Sequence, residues 1–386
     1  MKQFLTVAFV LICFFSFSQN YIPGTTYFGN DSLIEYKCGN LPIILSAPHG
    51  GYETPSALPD RNCQGCVYVR DVNTQELTRQ IAASLIFKTG CYPHVIINKL
   101  RRTKLDANRD MTEATDSNAV TEPYWHEYMN FVDSAKNRVS KQFTKGLFLD
   151  IHGHAHTISR LELGYLLTGT DLRKTDSALD AAPLNAKSSI LNLTFANQNN
   201  LSPSQLVRGL TSFGALIQKR GYPAVPSDSV PTPLLGEPYF SGGYNTRRFG
   251  SRIGGTIDAI QIEHNWDAHR TFARRVEYAD SLAETILEYL EEHYIANFSS
   301  NYCSSLSLNE KQKSSQIVAY PNPTSGQIVL DGISSDNKIE LFTTTGKLLL
   351  VVTNRKSIDL SNVEKGVYFI RISSSELATT LRVIKN

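Results

Sequence analysis

Gly146-Leu147-Phe148-Leu149-Asp150-Ile151-His152-Gly153-His154 is an apolar run that turns polar at alternate positions as it ends. Side chains two apart on a strand face the same way. A strand over residues 146–151 therefore sets Asp150 and His152 on one side. Three more apolar runs end in polar, chemically capable groups. Residues 41–46 lead into Ala47-Pro48-His49-Gly50-Gly51, and residues 93–98 lead towards Asp106-Ala107-Asn108-Arg109-Asp110. Residues 257–262 end at Glu263-His264, with Gln261 and Glu263 on one side and Ile260 and Ile262 on the other. Between these runs, residues 74–86 carry Leu77, Ile81, Ala82, Leu85 and Ile86 at helical spacing, and residues 124–139 and 272–294 are also helical in pattern. Alternating strands and helices predict an α/β fold, a mixed sheet covered by helices. Reactive groups then collect beyond the carboxyl ends of the strands, where His49, Asp150, His152 and Glu263 fall. Asn108 and Arg109 lie further out, in the loop after the second strand.

Those groups suit one chemistry. A catalytic zinc takes three protein ligands from His and carboxylates and keeps a fourth position open. His49 and His152 supply two. The third is a carboxylate, either Asp71, in Arg70-Asp71-Val72-Asn73-Thr74, or Glu53, four residues after His49. Asp71 also suits the N-cap of the following helix. Glu263 is placed to move a proton. Arg109 with Asn108 offers paired donors for a substrate carboxylate, and Arg102 or Arg101 a second positive contact. The opposing reading pairs these arginines with Asp106 and Asp110.

The ends of the chain say where it goes. Lys2, the apolar residues 4–15 and Ser16-Phe17-Ser18 form an export signal over residues 1–18. The formal charge of +2 gives no electrostatic case for nucleic acid. Cys13 leaves with the signal. Of the other five cysteines, Cys63 and Cys66 have CxxC spacing, for which a loop disulfide is expected. The odd count leaves at least one cysteine unpaired within the chain. A main domain is expected over 21–302 and a polar, Ser-rich linker over 303–315. Residues 316–386 follow as a small antiparallel β-sandwich of short alternating runs with turns at Pro321-Asn322-Pro323, Thr345-Gly346 and Lys365-Gly366.

Two resemblances attach to these motifs. Tyr320-Pro321-Asn322-Pro323-Thr324, the run Ile339-Glu340-Leu341-Phe342 to Gly346-Lys347, Gly366-Val367-Tyr368-Phe369-Ile370-Arg371-Ile372 and the terminal Val383-Ile384-Lys385 resemble the C-terminal sorting domain of the type IX secretion system. That implies a Bacteroidota-type bacterium, the secretion machinery as a partner, and a secreted or surface location. The ordered series Pro48-His49-Gly50-Gly51, Asp71, Asn108-Arg109-Asp110, Asp150-Ile151-His152, Gly242-Gly243-Tyr244-Asn245-Thr246 and Gln261-Ile262-Glu263 resembles the N-formylglutamate amidohydrolase family, relatives of the zinc carboxypeptidases. The resemblance implies a carboxypeptidase-like fold and one zinc ion. His49 and His152 would be its ligands, with Asp71 on or near it. Asn108 and Arg109 would hold the substrate carboxylate, and Glu263 would be the base. It implies an N-acyl, possibly N-formyl, amino acid or a small acidic peptide as substrate. The chain departs from the pattern at Tyr52, where carboxypeptidases have Glu, and at Gly153, where family members often have Ser. The alternatives are a zinc carboxypeptidase or peptidoglycan peptidase, and a binding or adhesive protein without turnover.

Overall fold

The computed structural model describes residues 21–295, 298, 317–331, 333, 335–344, 346–373 and 378–386. The expected signal at 1–18 and linker at 303–315 lie outside the described residues.

Eight strands form one mixed sheet: β1 (Thr26–Phe28), β2 (Ile34–Lys37), β3 (Ile43–Ala47), β4 (His94–Asn98), β5 (Gly146–His154), β6 (Leu161–Gly164), β7 (Ala224–Val225) and β8 (Ile257–Asn265). Their spatial order is β1-β2-β4-β3-β5-β8-β6-β7. The centre, β4-β3-β5-β8, is parallel, while β2 pairs antiparallel with β4 and β6 antiparallel with β8. Both sheet faces are covered, because the central strands are apolar on both sides. Leu45, Leu147, Leu149, Ile151, Ile260 and Ile262 pack with Leu77, Ile81, Leu282 and Ile286. Those partners come from α1 (Thr74–Thr89) and the long C-terminal helix (Arg275–His293). On the other face Ile44, Ile96, Phe148 and Ala259 pack with Tyr128, Met129 and Val132 of Glu122–Phe143, and with Phe249. Each fully buried side chain of this size stabilises the fold by about 1.5–3 kcal/mol.

That second face changes character along the strands. Past Ile44, Phe148 and Ala259 it presents Ser46, Asp150 and Gln261, which are register neighbours. One step further it presents His152, Glu263 and Glu162, again paired across β5, β8 and β6. A buried polar row on an otherwise apolar face marks the place where the sheet stops being only scaffold.

The four expected main-sheet strands are present, with β5 and β8 three residues longer than their apolar runs. His152 therefore lies inside β5. The last helix begins at Arg275, three residues after its expected start, with residues 272–274 in a turn and a π turn at Trp266–Arg270 before them. Between Gly169 and Gln218 the chain makes six short helices.

The tail is a separate pair of antiparallel sheets. One has order β13-β10-β9, with β9 (Val318–Tyr320), β10 (Gln327–Asp331) and β13 (Ser357–Asp359). The other has order β12-β11-β14-β15, with β11 (Lys338–Thr343), β12 (Leu348–Thr353), β14 (Gly366–Ser373) and β15 (Ala378–Lys385). Ile328, Leu330, Ile339, Leu341, Ile358, Ile370 and Val383 share one core between them.

Cys63 and Cys66 form a disulfide, Cys91 is disulfide-bonded, and Cys38 is a buried free thiol.

Candidate metal centre

The polar row is closed from above by two loops. The turn after β3 carries His49 between α1 and the end of β4. It needs Gly51, because a Cβ there would stand 2.1 Å from the Leu100 carbonyl oxygen. The loop before α1 carries Asp71, whose N–H donates to the His49 carbonyl (3.0 Å). Asp71 is not the helix cap. Asn73 occupies that position with φ 66°, and its side chain makes no capping bond. The Asp71 carboxylate turns inward instead and accepts from Gly153 N–H (3.1 Å).

His49, Asp71 and His152 meet at their donor atoms. Asp71 Oδ2 lies 3.5 Å from His49 Nδ1 and 3.1 Å from His152 Nδ1, and one donor atom from each of the three falls within 4.8 Å of the others. Two bonds of about 2.1 Å at tetrahedral angles put their donors about 3.4 Å apart. The two rings stand edge to face, with centroids 4.7 Å apart. Each ring then gives its other nitrogen to a carboxylate. His49 Nε2 donates to Asp106 Oδ1 (2.6 Å), and His152 Nε2 donates to Asp150 Oδ2 (2.9 Å). This carboxylate–imidazole pairing fixes the tautomer that leaves Nδ1 for an ion. Buried His49 Nδ1 makes no hydrogen bond within the described residues. An N, N, O donor set suits a zinc-type cation, so the residues present fit the group.

Electrostatics follow the same pattern. Burial would raise the Asp71 carboxyl, but the hydrogen bond with His152 and the closeness of the His49 ring hold it well below the usual carboxylate range. Burial would lower His152, yet the charge of Asp150, with hydrogen bonds to Asp150 and Asp71, raises it well above the ordinary imidazole value. The proton on its Nδ1 thus sits where a cation would compete for it. Glu263 goes the other way. Burial pushes its carboxyl up to about 8, against the pull of His152 and with help from Asp71 and Glu162. Its Oε1 accepts from Gln261 Nε2 (2.9 Å), leaving Oε2 free of hydrogen bonds among the described residues.

The remaining expected residues are placed differently. Asn108 is buried, with Nδ2 3.3 Å from His152 Nε2 and Oδ1 accepting from Asn245 N–H (2.8 Å). Arg102 donates from Nε to Asp106 Oδ2 (2.8 Å), and its Nη1 lies 3.9 Å from Asp71 Oδ1. It braces the site's own carboxylates. Arg109 donates to Glu113 Oε1 (2.8 Å) and to the Asn108 carbonyl, and its side chain is 30% exposed. Asp110 caps the short helix Met111–Thr115. Glu53 makes a backbone bridge to Leu100 and is outside the His49–Asp71–His152 group.

Three participants had no expected role. Asp106 was visible only as a partner for arginine. Glu162, on β6, faces Glu263 across the sheet. Arg270 donates to the carbonyls of Val72 (2.7 Å), His154 (2.9 Å) and His264 (3.0 Å). It also accounts for Gly153, since a Cβ there would stand 2.3 Å from the Arg270 guanidinium carbon.

Residues 318–386 match the secretion system C-terminal sorting domain. They are that domain. Its presence implies export by type IX secretion to the cell surface or beyond, in partnership with that machinery. Among the described residues no helix is long and apolar enough to cross a membrane. The chain is also similar to PorZ of Porphyromonas gingivalis, a surface component of the type-IX secretion system. That similarity spans 24% of this chain and 13% of PorZ, with 17% identity and a TM-score of 0.17. N-formylglutamate amidohydrolase from Ralstonia eutropha JMP134 is similar over 67% of this chain and 97% of its own, with 11% identity and a TM-score of 0.40. A gene product of Agrobacterium tumefaciens has the same identity and TM-score over 67% and 95%. No curated protein matches the sequence.

Proposed function

We propose that this chain is an exported, metal-dependent amide hydrolase acting on an N-acyl amino acid or a small peptide that carries a carboxylate. One observation supports it above the rest. His49 and His152 each give Nε2 to a buried carboxylate and turn Nδ1 towards Asp71, and Glu263, held at one oxygen, stands in register beside His152.

His49, Asp71 and His152 would hold the ion. When bound, a zinc-type cation supplies the Lewis acidity that polarises a carbonyl and acidifies water. The protein's own residues do the rest. Asp106 and Asp150 keep both imidazoles in the tautomer required. Glu263 Oε2 takes a proton from the attacking water and passes it on as the C–N bond breaks. Arg102 keeps Asp106 ionised and oriented. Arg109 holds the substrate carboxylate by exchanging Glu113 for it, an exchange that its partly exposed position allows.

The test is elemental analysis of the purified full chain. It is followed by turnover of N-formyl and N-acetyl amino acids against dipeptides by the zinc-loaded protein. One equivalent of metal with release of free amine from the acyl amino acids is expected. Release from dipeptides alone would make it a peptidase. Stoichiometric metal with no turnover of either class would make it a binding protein.

A further inference from the structure

Next to the metal centre is a second histidine–carboxylate pair that the mechanism above does not use. Glu162 is completely buried on β6 and is the register partner of Glu263, so the two carboxylates share one face on adjacent strands. Its Oε2 accepts from Phe240 N–H (2.8 Å), and its Oε1 accepts from His156 Nδ1 (2.7 Å). Phe240 stacks on the His156 ring with centroids 4.9 Å apart and planes 16° apart, and the His154 ring lies 4.9 Å away on another side. Asn265 Nδ2 donates to the His156 carbonyl (3.2 Å). The imidazole is therefore fixed by a carboxylate, a ring face and its own backbone. Nε2 alone makes no hydrogen bond among the described residues, and the side chain keeps 24% of its surface exposed.

His154, His156 and Glu162 could also be read as ligands of another ion. The bonding of His154 argues against that. Its Nε2 donates to the Arg160 carbonyl (2.9 Å) and its Nδ1 accepts from His156 N–H (3.1 Å), so neither nitrogen is left to give. A histidine with one nitrogen on a buried carboxylate and the other open is the arrangement of an oriented acid–base group.

We propose that His156, held by Glu162 and covered by Phe240, is a second acid–base group of this site and delivers a proton to the leaving nitrogen. The proposal rests on the hydrolase reading above. In the balanced step, water's oxygen bonds to the carbonyl carbon while Glu263 takes its proton. The C–N bond then breaks with its electron pair staying on nitrogen, and protonated His156 gives Nε2–H to that nitrogen. The proton held on Glu263 restores His156, so acid and amine form from amide and one water. Glu162 is a positioning residue. The charged and titratable groups around the ring are His154, Glu162 and, one strand further, Glu263. Arg160 is close by in sequence and is itself paired with Glu237 (3.0 Å).

The leaving group supplies the test. An amine must be protonated to depart, whereas an alkoxide needs this far less. The zinc-loaded full chain is assayed on the best amide of the panel and on the ester in which oxygen replaces its scissile nitrogen. His156→Asn should lower kcat/KM by about 10²–10⁴-fold on the amide and less than about tenfold on the ester, with metal content unchanged. Glu162→Gln should show the same amide-selective loss, smaller in size. Phe240→Ala alters an exposed ring and leaves the core intact, so it keeps the test valid if a dyad variant misfolds; it should also cost the amide more than the ester. Equal losses on both substrates would overturn the proton-donor role and leave the hydrolase reading standing. A second metal equivalent lost with His156→Asn would make His156 a ligand and overturn it too. No turnover of any amide by the wild-type chain would overturn both readings together.

Discussion

Asp106→Asn tests the metal centre at a residue that would not touch the ion. Asp106 Oδ1 accepts from His49 Nε2 (2.6 Å) and Asn108 N–H (3.1 Å), and Oδ2 accepts from Arg102 Nε (2.8 Å). An asparagine has only one acceptor oxygen. If it faces His49, its NH₂ meets the Arg102 N–H, and a buried guanidinium loses its charged partner. That costs about 1.5–3 kcal/mol of stability, or a fall in Tm of about 3–10 °C for a domain of this size. If it faces Arg102, the His49 tautomer is released and Nδ1 spends part of its time protonated. Loss of such a partner weakens metal binding by about 10–100-fold, or about 1.4–2.7 kcal/mol. Zinc competition against a chromogenic chelator and thermal melts with and without zinc measure the two effects. Unchanged affinity and unchanged Tm would refute the supporting role. Loss of zinc as complete as in His49→Ala would make Asp106 a ligand.

Four further outcomes are expected. Glu263→Gln should keep the zinc equivalent and lose nearly all turnover; loss of zinc in elemental analysis would make Glu263 a ligand instead. Arg109→Lys should weaken acidic substrates far more than neutral analogues in kcat/KM, and equal effects would exclude it as the carboxylate anchor. Gly243→Ala would put a Cβ 2.4 Å from Asn108 Nδ2. It should displace Asn108 and lower kcat while the fold, read by circular dichroism, is kept. His94 is buried against Tyr36 and Gly39, and burial pushes it down to about 3 from an unfolded value near 6.5. Its folded value is the lower one, so its contribution is present above pH 6.5 and is lost as pH falls towards 3, about 5 kcal/mol in full. His94→Gln should flatten that part of the acid-unfolding curve, and an unaltered curve would show that another group carries it.

The sequence exposed the parts of the site that lie along a strand. Asp150 with His152, and Gln261 with Glu263, could be placed because alternation fixes their side, and the sheet pairs those rungs directly. It did not expose what is brought in from elsewhere. Asp106 reaches His49 across 57 positions and Arg270 reaches Val72 across 198. No local pattern encodes such contacts. Arg102 shows the limit from another angle, since an arginine near a polar loop reads as a ligand clamp until its buried carboxylate is seen. β1 and β2 were missed because three- and four-residue strands carry too few alternations to stand out. The short helices between 169 and 218 had a signal that apolar period could not show. Thr168 with Asp171, and Ser202 with Gln205, are capping boxes at three-residue spacing.

Arg270 gathers three arriving segments by their carbonyl oxygens, which do not titrate, through a group that stays charged across the physiological range. The frame around the two imidazoles is thus riveted by the chain itself. If the proposed ion binds there, it meets a standing receptacle and needs no refolding around it. On the metal-dependent reading proposed above, scarcity of the ion would cost this chain its turnover and spare its architecture.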